Sequence, residues 1–141
     1  MFHSLRVNIP MKSTGLTRDD INISKTRVSF SWTAPNLTAA FPVLDYSIQW
    51  DQGTGVYVQA ASSIPTTGLS YTMTGLTAGV TYKFKVYARN SIGLGKPSDE
   101  FSIIAGIIPS TPAAPTTSYN GSTDTVTIDC NPPADNGGLS I

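Results

Sequence analysis

The chain is short of the residue types on which most chemistry depends. Cys130 is its only cysteine and His3 its only histidine among 141 residues. No intrachain disulfide can form, and no His/Cys metal cluster can be assembled. The fold must therefore rest on hydrophobic packing and strand pairing. Charge is scarce and balanced, nine basic residues against nine acidic, which leaves no global field to draw the chain to nucleic acid or an anionic membrane. Long hydrophobic runs are missing too. Nothing approaches the roughly 20 apolar residues needed to span a bilayer. Arg6 and Pro10 interrupt the N-terminus where a secretory signal needs about 7 to 15 uninterrupted apolar residues. Helical spacing of apolar residues never persists over two turns, so no helix of consequence is expected.

What the chain does have is alternation. In the stretch GLTAGVTYKFKVYARNSIG, Gly75 to Gly93, the residues Tyr82, Phe84, Val86 and Ala88 occupy every second position, with Lys83, Lys85, Tyr87 and Arg89 opposite. A period of two is a half-buried strand. Leu76 stands six residues before Tyr82 across a glycine-containing turn, a spacing that lets the ring fold back over the corner, where its hydroxyl needs a backbone partner. The same alternation predicts a first edge strand at DDINIS, with Ile21 and Ile23. A second strand at RVSFSW places Val28, Phe30 and Trp32 on one face and is stopped by Ala34 and Pro35. A third runs from Val43 to Trp50, VYVQAA and LSYTMT supply two more, and EFSIIAG closes the set after a loop carrying Gly93, Gly95 and Pro97. Short strands with turn signals every ten or so residues imply an all-β, seven-stranded antiparallel two-sheet sandwich. Its inward set is Ile23, Val28, Phe30, Trp32, Tyr46, Ile48, Trp50, Tyr71, Met73, Leu76, Tyr82, Phe84, Val86, Ala88 and some of Phe101, Ile103 and Ile104.

Outside that unit the chain changes character. Residues 1–15 show only a brief alternation of Leu5, Val7 and Ile9 before Pro10 and are expected to form a weakly structured lead-in. Residues 16–106 are the domain. Residues 107–115, rich in proline, serine and threonine, form a linker or entry segment. From residue 116 a second copy begins: TDTVTIDCNPPADNGGLSI lies without gaps on KTRVSFSWTAPNLTAAFPV at a constant offset of 98 residues. Val126 falls on Val28, Ile128 on Phe30, Cys130 on Trp32 and Pro133 on Pro35. Two strands cannot close a sandwich, and an isolated hairpin is marginal in water. Residues 116–141 are therefore expected to be poorly ordered alone, or completed by another chain.

These residues resemble a fibronectin type III domain, with an immunoglobulin-like sandwich, over about 16–106 and the start of another from about 109. Trp32 matches the family's second-strand tryptophan and PVLDYSIQW its third-strand pattern. GLTAGVTYKFKVYARNSIGLGKPS matches its leucine, turn, tyrosine-corner strand and glycine-bearing loop, with Tyr82 in the corner position. Ala78 departs from the proline common in that turn, and the first copy lacks the proline-rich start that the second has. The integrin-binding Arg-Gly-Asp tripeptide of one member of the family is absent, the corresponding loop reading NSIGLGKPSD. The resemblance implies a noncatalytic structural or protein-interaction module in a tandem array of a scaffold or adhesion-type protein. Its partners would be other proteins and neighbouring domains, with no nucleic acid and no membrane-spanning segment. An accessory domain of a modular enzyme and a cell-surface receptor ectodomain fragment are the alternatives. NPPADNGGLSI resembles phrasing of intracellular cytoskeletal arrays, while other members are extracellular or at the cell surface, so either compartment suits the family.

Residue by residue, no catalytic, cofactor-binding or metal site is expected. Catalysis needs a nucleophile with a base, paired carboxylates or a metal cluster, and the sequence offers none. SIGLGKPS has glycines but not the phosphate-loop spacing, and Pro97 takes the hydroxyl position, so a hairpin loop is expected there. Cys130 is expected to be a small buried hydrophobe. Lys83, Lys85 and Arg89 form a basic row that could meet an acidic partner, although a solvated strand face with long stems over apolar surface is the simpler reading. Asn22, Asn36 and Asn120 open N-glycosylation acceptor sequences, which the abundance of serine and threonine explains by chance.

Overall fold

The computed structural model describes residues 8–36, 40–107 and 109–138. It contains ten strands: β1 (Thr14–Arg18), β2 (Arg27–Thr33), β3 (Asp45–Trp50), β4 (Val58–Pro65), β5 (Ser70–Thr74), β6 (Thr81–Arg89), β7 (Leu94–Pro97), β8 (Phe101–Ile104), β9 (Thr116–Asn120) and β10 (Thr125–Asp129). All pairing is antiparallel, and there is no helix among the described residues. One sheet has the order β1-β2-β5. The other has β4-β3-β6, with β7 and β8 both paired to the far side of β6. Those last two strands act as one interrupted by a bulge. Ser98 bridges the break, its N–H donating to Val86 O (2.8 Å) while its Oγ accepts from Val86 N–H (2.9 Å). Counted this way the sandwich has seven strands, three facing four.

The core lies between the sheets and is aromatic at its centre. Phe30, on β2, meets Phe84 of the opposite sheet at a ring separation of 4.9 Å and Phe101 at 5.5 Å, while Trp32 meets Tyr46 at 5.4 Å. The residues expected inside are inside, with Trp50, Tyr71, Met73 and Phe101 half-buried at the rim. Ala105 joins them just past β8, a position that alternation alone did not mark. On β6 the burial alternates residue by residue from Tyr82 to Ala88, as the sequence requires.

The corner ahead of β6 also forms. Leu76 and Tyr82 are both buried, and the Thr77 N–H donates to Tyr82 Oη at 2.9 Å. Tyr82→Phe removes that acceptor and leaves the ring. It should cost about 1 kcal/mol in chemical denaturation, and a change near zero would remove the corner from the stabilising features.

Three local expectations are corrected. The first edge strand is Thr14–Arg18, not DDINIS. Asp19 folds that segment into a turn, its carboxylate accepting from Ile21 N–H (3.1 Å) and Asn22 Nδ2 (2.7 Å). Ile21 is consequently 91% exposed, and Ile23 reaches the core from a turn. The fourth strand lies later than VYVQAA, at Val58–Pro65, and carries a bulge with Ser63 at φ +56°. The loop of Gly93, Gly95 and Pro97 contains a strand, β7, beyond a tight turn. That turn is held by Asn90, whose Oδ1 accepts from Ile92 N–H (3.0 Å) and Gly93 N–H (3.1 Å).

Within the lead-in, residues 8–13 are tied to the domain. Pro10 and Ser13 are buried, and Pro10 O accepts from Lys96 N–H (3.2 Å). Asn90 Nδ2 donates to Asn8 O (2.7 Å), and Lys12 pairs with Asp99 (2.9 Å). The segment thus runs along β7 of one sheet before β1 joins the other. Glycine is required where it crosses, because a Cβ on Gly95 would lie 2.5 Å from Pro10 O and 2.9 Å from Ala88 O. Leu5 and Val7 of the brief alternation lie outside the described residues.

Beyond the linker, β9 and β10 form a five-pair hairpin in which Val126 faces Tyr119 and Ile128 faces Thr117. Every residue of it is exposed. Cys130, expected as a buried hydrophobe, is exposed as well, since no second sheet covers the face it shares with Val126 and Ile128.

Candidate functional site

The outward face of β6 carries Lys83, Lys85, Tyr87 and Arg89, and pairing places other polar side chains beside them. Arg89 stands opposite Asp45, Tyr87 opposite Ser47 and Lys85 opposite Gln49 on β3. On the other side Lys83 stands opposite Ser102. The face belongs to the four-stranded sheet and is rimmed by Tyr57 and Glu100.

Each cation of the row has its counter-group within the chain. Arg89 binds Asp45 with both nitrogens of its fork, Nε at 2.9 Å from Oδ1 and Nη2 on Oδ2. Lys83 Nζ lies 3.0 Å from Glu100 Oε1. Lys85 Nζ sits 4.2 Å from the centre of the Tyr57 ring, a cation–π contact. Tyr57 in turn donates its hydroxyl to Glu100 Oε2 (2.6 Å), and Tyr87 donates to Gln49 Oε1 (3.2 Å). The row, for which the sequence favours a solvated strand face over a surface for an acidic partner, is a neutralised, hydrogen-bonded face with two tyrosines in it.

The electrostatics fix the protonation states. Hydrogen bonds from Tyr57 and Lys83 hold the Glu100 carboxyl below the usual range, and the Arg89 guanidinium does the same for Asp45. Burial, then the adjoining Glu100 carboxylate, pushes the Tyr57 hydroxyl far up. These shifts carry the Glu100 and Asp45 carboxyls and the Tyr57 hydroxyl away from neutrality, the direction opposite to the one that tunes a group for general acid–base work. What the face can do is bind, through tyrosine rings and satisfied polar groups. The turn after Asn90 adds apolar surface at one end, with Ile92 51% and Leu94 47% exposed.

The remaining residues singled out in the sequence do not converge on this face. His3 lies outside the described residues. Cys130 is in the separate hairpin, and Asn22, Asn36 and Asn120 are exposed at scattered positions. Among the described residues no group of three His, Cys, Asp or Glu is close enough to hold a metal ion. Two residues that order the edges of the face were missed. Tyr57 lies in a segment assigned to a strand, and Asp51 was passed over beside the glycines of DQGTG. Asp51 is 3% exposed, and its carboxylate accepts from the N–H groups of Lys83 (2.9 Å), Gly53 (3.0 Å) and Gly55 (3.3 Å). The signal for it was present: aspartate followed two residues later by glycine is a turn former through this bond.

Comparison with known proteins agrees with this architecture. A Kelch domain-containing protein of Saccharolobus solfataricus is 41% identical over 72 residues, 51% of this chain and 10% of that protein. Fibronectin type-III domain-containing protein 3A of Mus musculus is 32% identical over 118 residues, 82% of this chain and 10% of that protein. The chain thus spans about a tenth of the length of either relative. The solution structure of the sixth fibronectin type III domain of human fibronectin type III domain containing protein 3 superposes with a TM-score of 0.58 at 24% identity, covering 74% of this chain and 92% of that one. The fibronectin type III domain family model matches residues 14–104, and the chain belongs to that family.

Proposed function

We propose that this chain is a noncatalytic interaction and spacing segment of a tandem fibronectin type III array, in which residues 16–106 form one domain, 107–115 the linker and 116–141 the opening strands of the next. The domain presents the polar sheet face of Tyr57, Lys85 and Tyr87 and the turn after Asn90 to protein partners. The observation that carries the tandem part is the exposure of the hairpin. Val126 and Ile128 are 65% and 64% exposed, whereas their counterparts at the 98-residue offset, Val28 and Phe30, are 0% exposed. An apolar strand face of this kind is the inner face of a sandwich. The 118-residue likeness to the mouse protein, longer than one domain, supports the same reading.

Expressing the chain with the reading frame that continues it tests the proposal. Amide exchange at Val126 and Ile128 should slow by at least a hundredfold relative to residues 1–141 alone, as core strands of a folded domain do. Unchanged exchange in the longer chain would defeat the tandem reading.

A further inference from the structure

The linker does not run free between the domain and the hairpin. After β10 the chain turns back, and the segment NPPADNGG, residues 131–138, returns to the far end of the first domain. Ile107 N–H donates to Gly137 O (3.0 Å) and Ser110 N–H to Asp135 O (2.7 Å). The Ser110 hydroxyl accepts from Asp135 N–H (3.0 Å) and donates to Asp135 O (3.2 Å). Ile107 and Ser110 are thus both tied to the returning loop.

The loop also touches the domain itself. Asp135 Oδ1 lies 2.5 Å from Lys25 Nζ, in the connection between β1 and β2, and the same carboxylate accepts from Gly137 N–H (2.8 Å). The lysine, foremost, and that amide hold the Asp135 carboxyl below its ordinary range. Gly137 and Gly138 take φ of +68° and +77°, a pair of left-handed residues that only glycine adopts readily. They lay the backbone against the turn before β6: a Cβ on Gly79 would lie 2.8 Å from Gly138 O, and one on Gly138 would lie 2.7 Å from Ala78 Cβ. At the 98-residue offset the first copy reads LTAA where the loop reads DNGG. The glycine pair and the aspartate are therefore absent from the corresponding place in the first copy.

We infer that the loop Asp135–Gly138 is a clasp and that Lys25, Ala78, Gly79, Ile107 and Ser110 form its docking surface, so that the joint between the domain and the hairpin is stiff and of fixed orientation. The ion pair contributes direction rather than most of the affinity, being partly exposed, as such pairs are individually weak. Close backbone packing and the paired amides supply the rest. A clasped joint transmits torque and sets spacing, where a free proline and serine linker would let the units swing. The inference rests on the tandem reading only for the identity of the hairpin; the contacts themselves lie within the present chain.

Nitrogen-15 relaxation on residues 1–141, with limited proteolysis, tests it. Amides of β9 and β10 should share the rotational correlation time of β2, β3 and β6. Lys25→Glu, which sets two carboxylates together, should lower the hairpin's correlation time and speed cleavage within 131–138 about threefold. Adding Asp135→Lys should restore part of the coupling by reversing the pair. Ala78→Leu, a change on an exposed turn, should undock the loop by bulk while the melting temperature of the domain stays put. Independent tumbling of the hairpin in the unmodified chain would overturn the clasp, as would cleavage unaffected by both Lys25→Glu and Ala78→Leu. Neither result bears on burial of Val126 and Ile128 in a longer chain, so the clasp and the tandem reading fail separately.

Discussion

Phe30→Ala is expected to lower the unfolding free energy by about 3–5 kcal/mol, the range for deleting a fully buried phenylalanine. The upper half of that range applies because of where the ring sits. Phe30 is 0% exposed and has ring neighbours on both sheets: Trp32 at 6.1 Å and Tyr71 at 6.2 Å on its own, Phe84 at 4.9 Å and Phe101 at 5.5 Å across the interface. Aromatic neighbours held by two sheets cannot collapse into the space left behind, so the cavity term is kept in full. Against a typical domain stability of about 5–15 kcal/mol, the loss takes a large share of the total. Phe30→Leu, which keeps much of the volume, should cost about half as much. Equilibrium urea denaturation of the three proteins checks the order. Equal midpoints for the parent chain and Phe30→Ala would mean that β2 does not hold the centre of the core.

Those residues were legible because burial between two sheets imposes strict alternation. Val28, Phe30 and Trp32 announce one face, Tyr82 to Ala88 the other, and a shift of register by one would expose the whole set. Edges obey weaker rules. At Ile21 and Ile23 the alternation was real, but Asp19 satisfies the backbone locally and turns the chain, so side-chain chemistry prevailed over periodicity. At Leu94–Pro97 one glycine and a proline, with Gly93 just before them, hid a strand, because a strand that leans on β6 at one side and on the lead-in at the other has no room for a side chain at Gly95. The basic row was correctly placed on the outside of β6. Its neutralisation was not legible, since Asp45, Tyr57 and Glu100 are distant in sequence and only the pairing of β3, β6 and β8 brings them together.

The two ends of the domain are built on opposite principles. Around Asn90 one side chain collects the turn, the lead-in and the chain before β3, with bonds to Ile92, Gly93, Asn8 and Phe41. At the far end, backbone from the linker and the returning loop does the work, with the Lys25–Asp135 pair setting direction. The sheet face between them stays open. Its tyrosines are held in place by Glu100 and Gln49, and a surface already ordered loses less entropy when a partner docks.

Asp51→Ala is the second large effect, expected at about 2–4 kcal/mol at neutral pH, since it strips a charged acceptor from three amides of which that of Lys83 is half-buried. Asp51→Asn should cost less, about 1–2 kcal/mol: its oxygen can keep the bonds from Lys83 and Gly53, but its NH2 group would face the donor of Gly55. The pH dependence separates charge from shape. Burial pushes the Asp51 carboxyl up, but the amides of Lys83, Gly53 and Gly55 and the Lys83 cation outweigh it, and the folded value lies below the ordinary 3.8. A group whose pKa is depressed by folding binds fewer protons folded than unfolded, so its contribution is complete above the unfolded value and is lost as pH falls through the folded one. The stability gap between the parent chain and Asp51→Asn should accordingly be constant from pH 7 down to about 5 and shrink below about 4. Asp45, Glu100 and Asp19 are depressed too and remain in both proteins, so their acid losses cancel in the difference. A gap that stays flat to pH 2 would show that the asparagine lacks only geometry, and that the carboxylate's charge contributes nothing to holding β3 against β6.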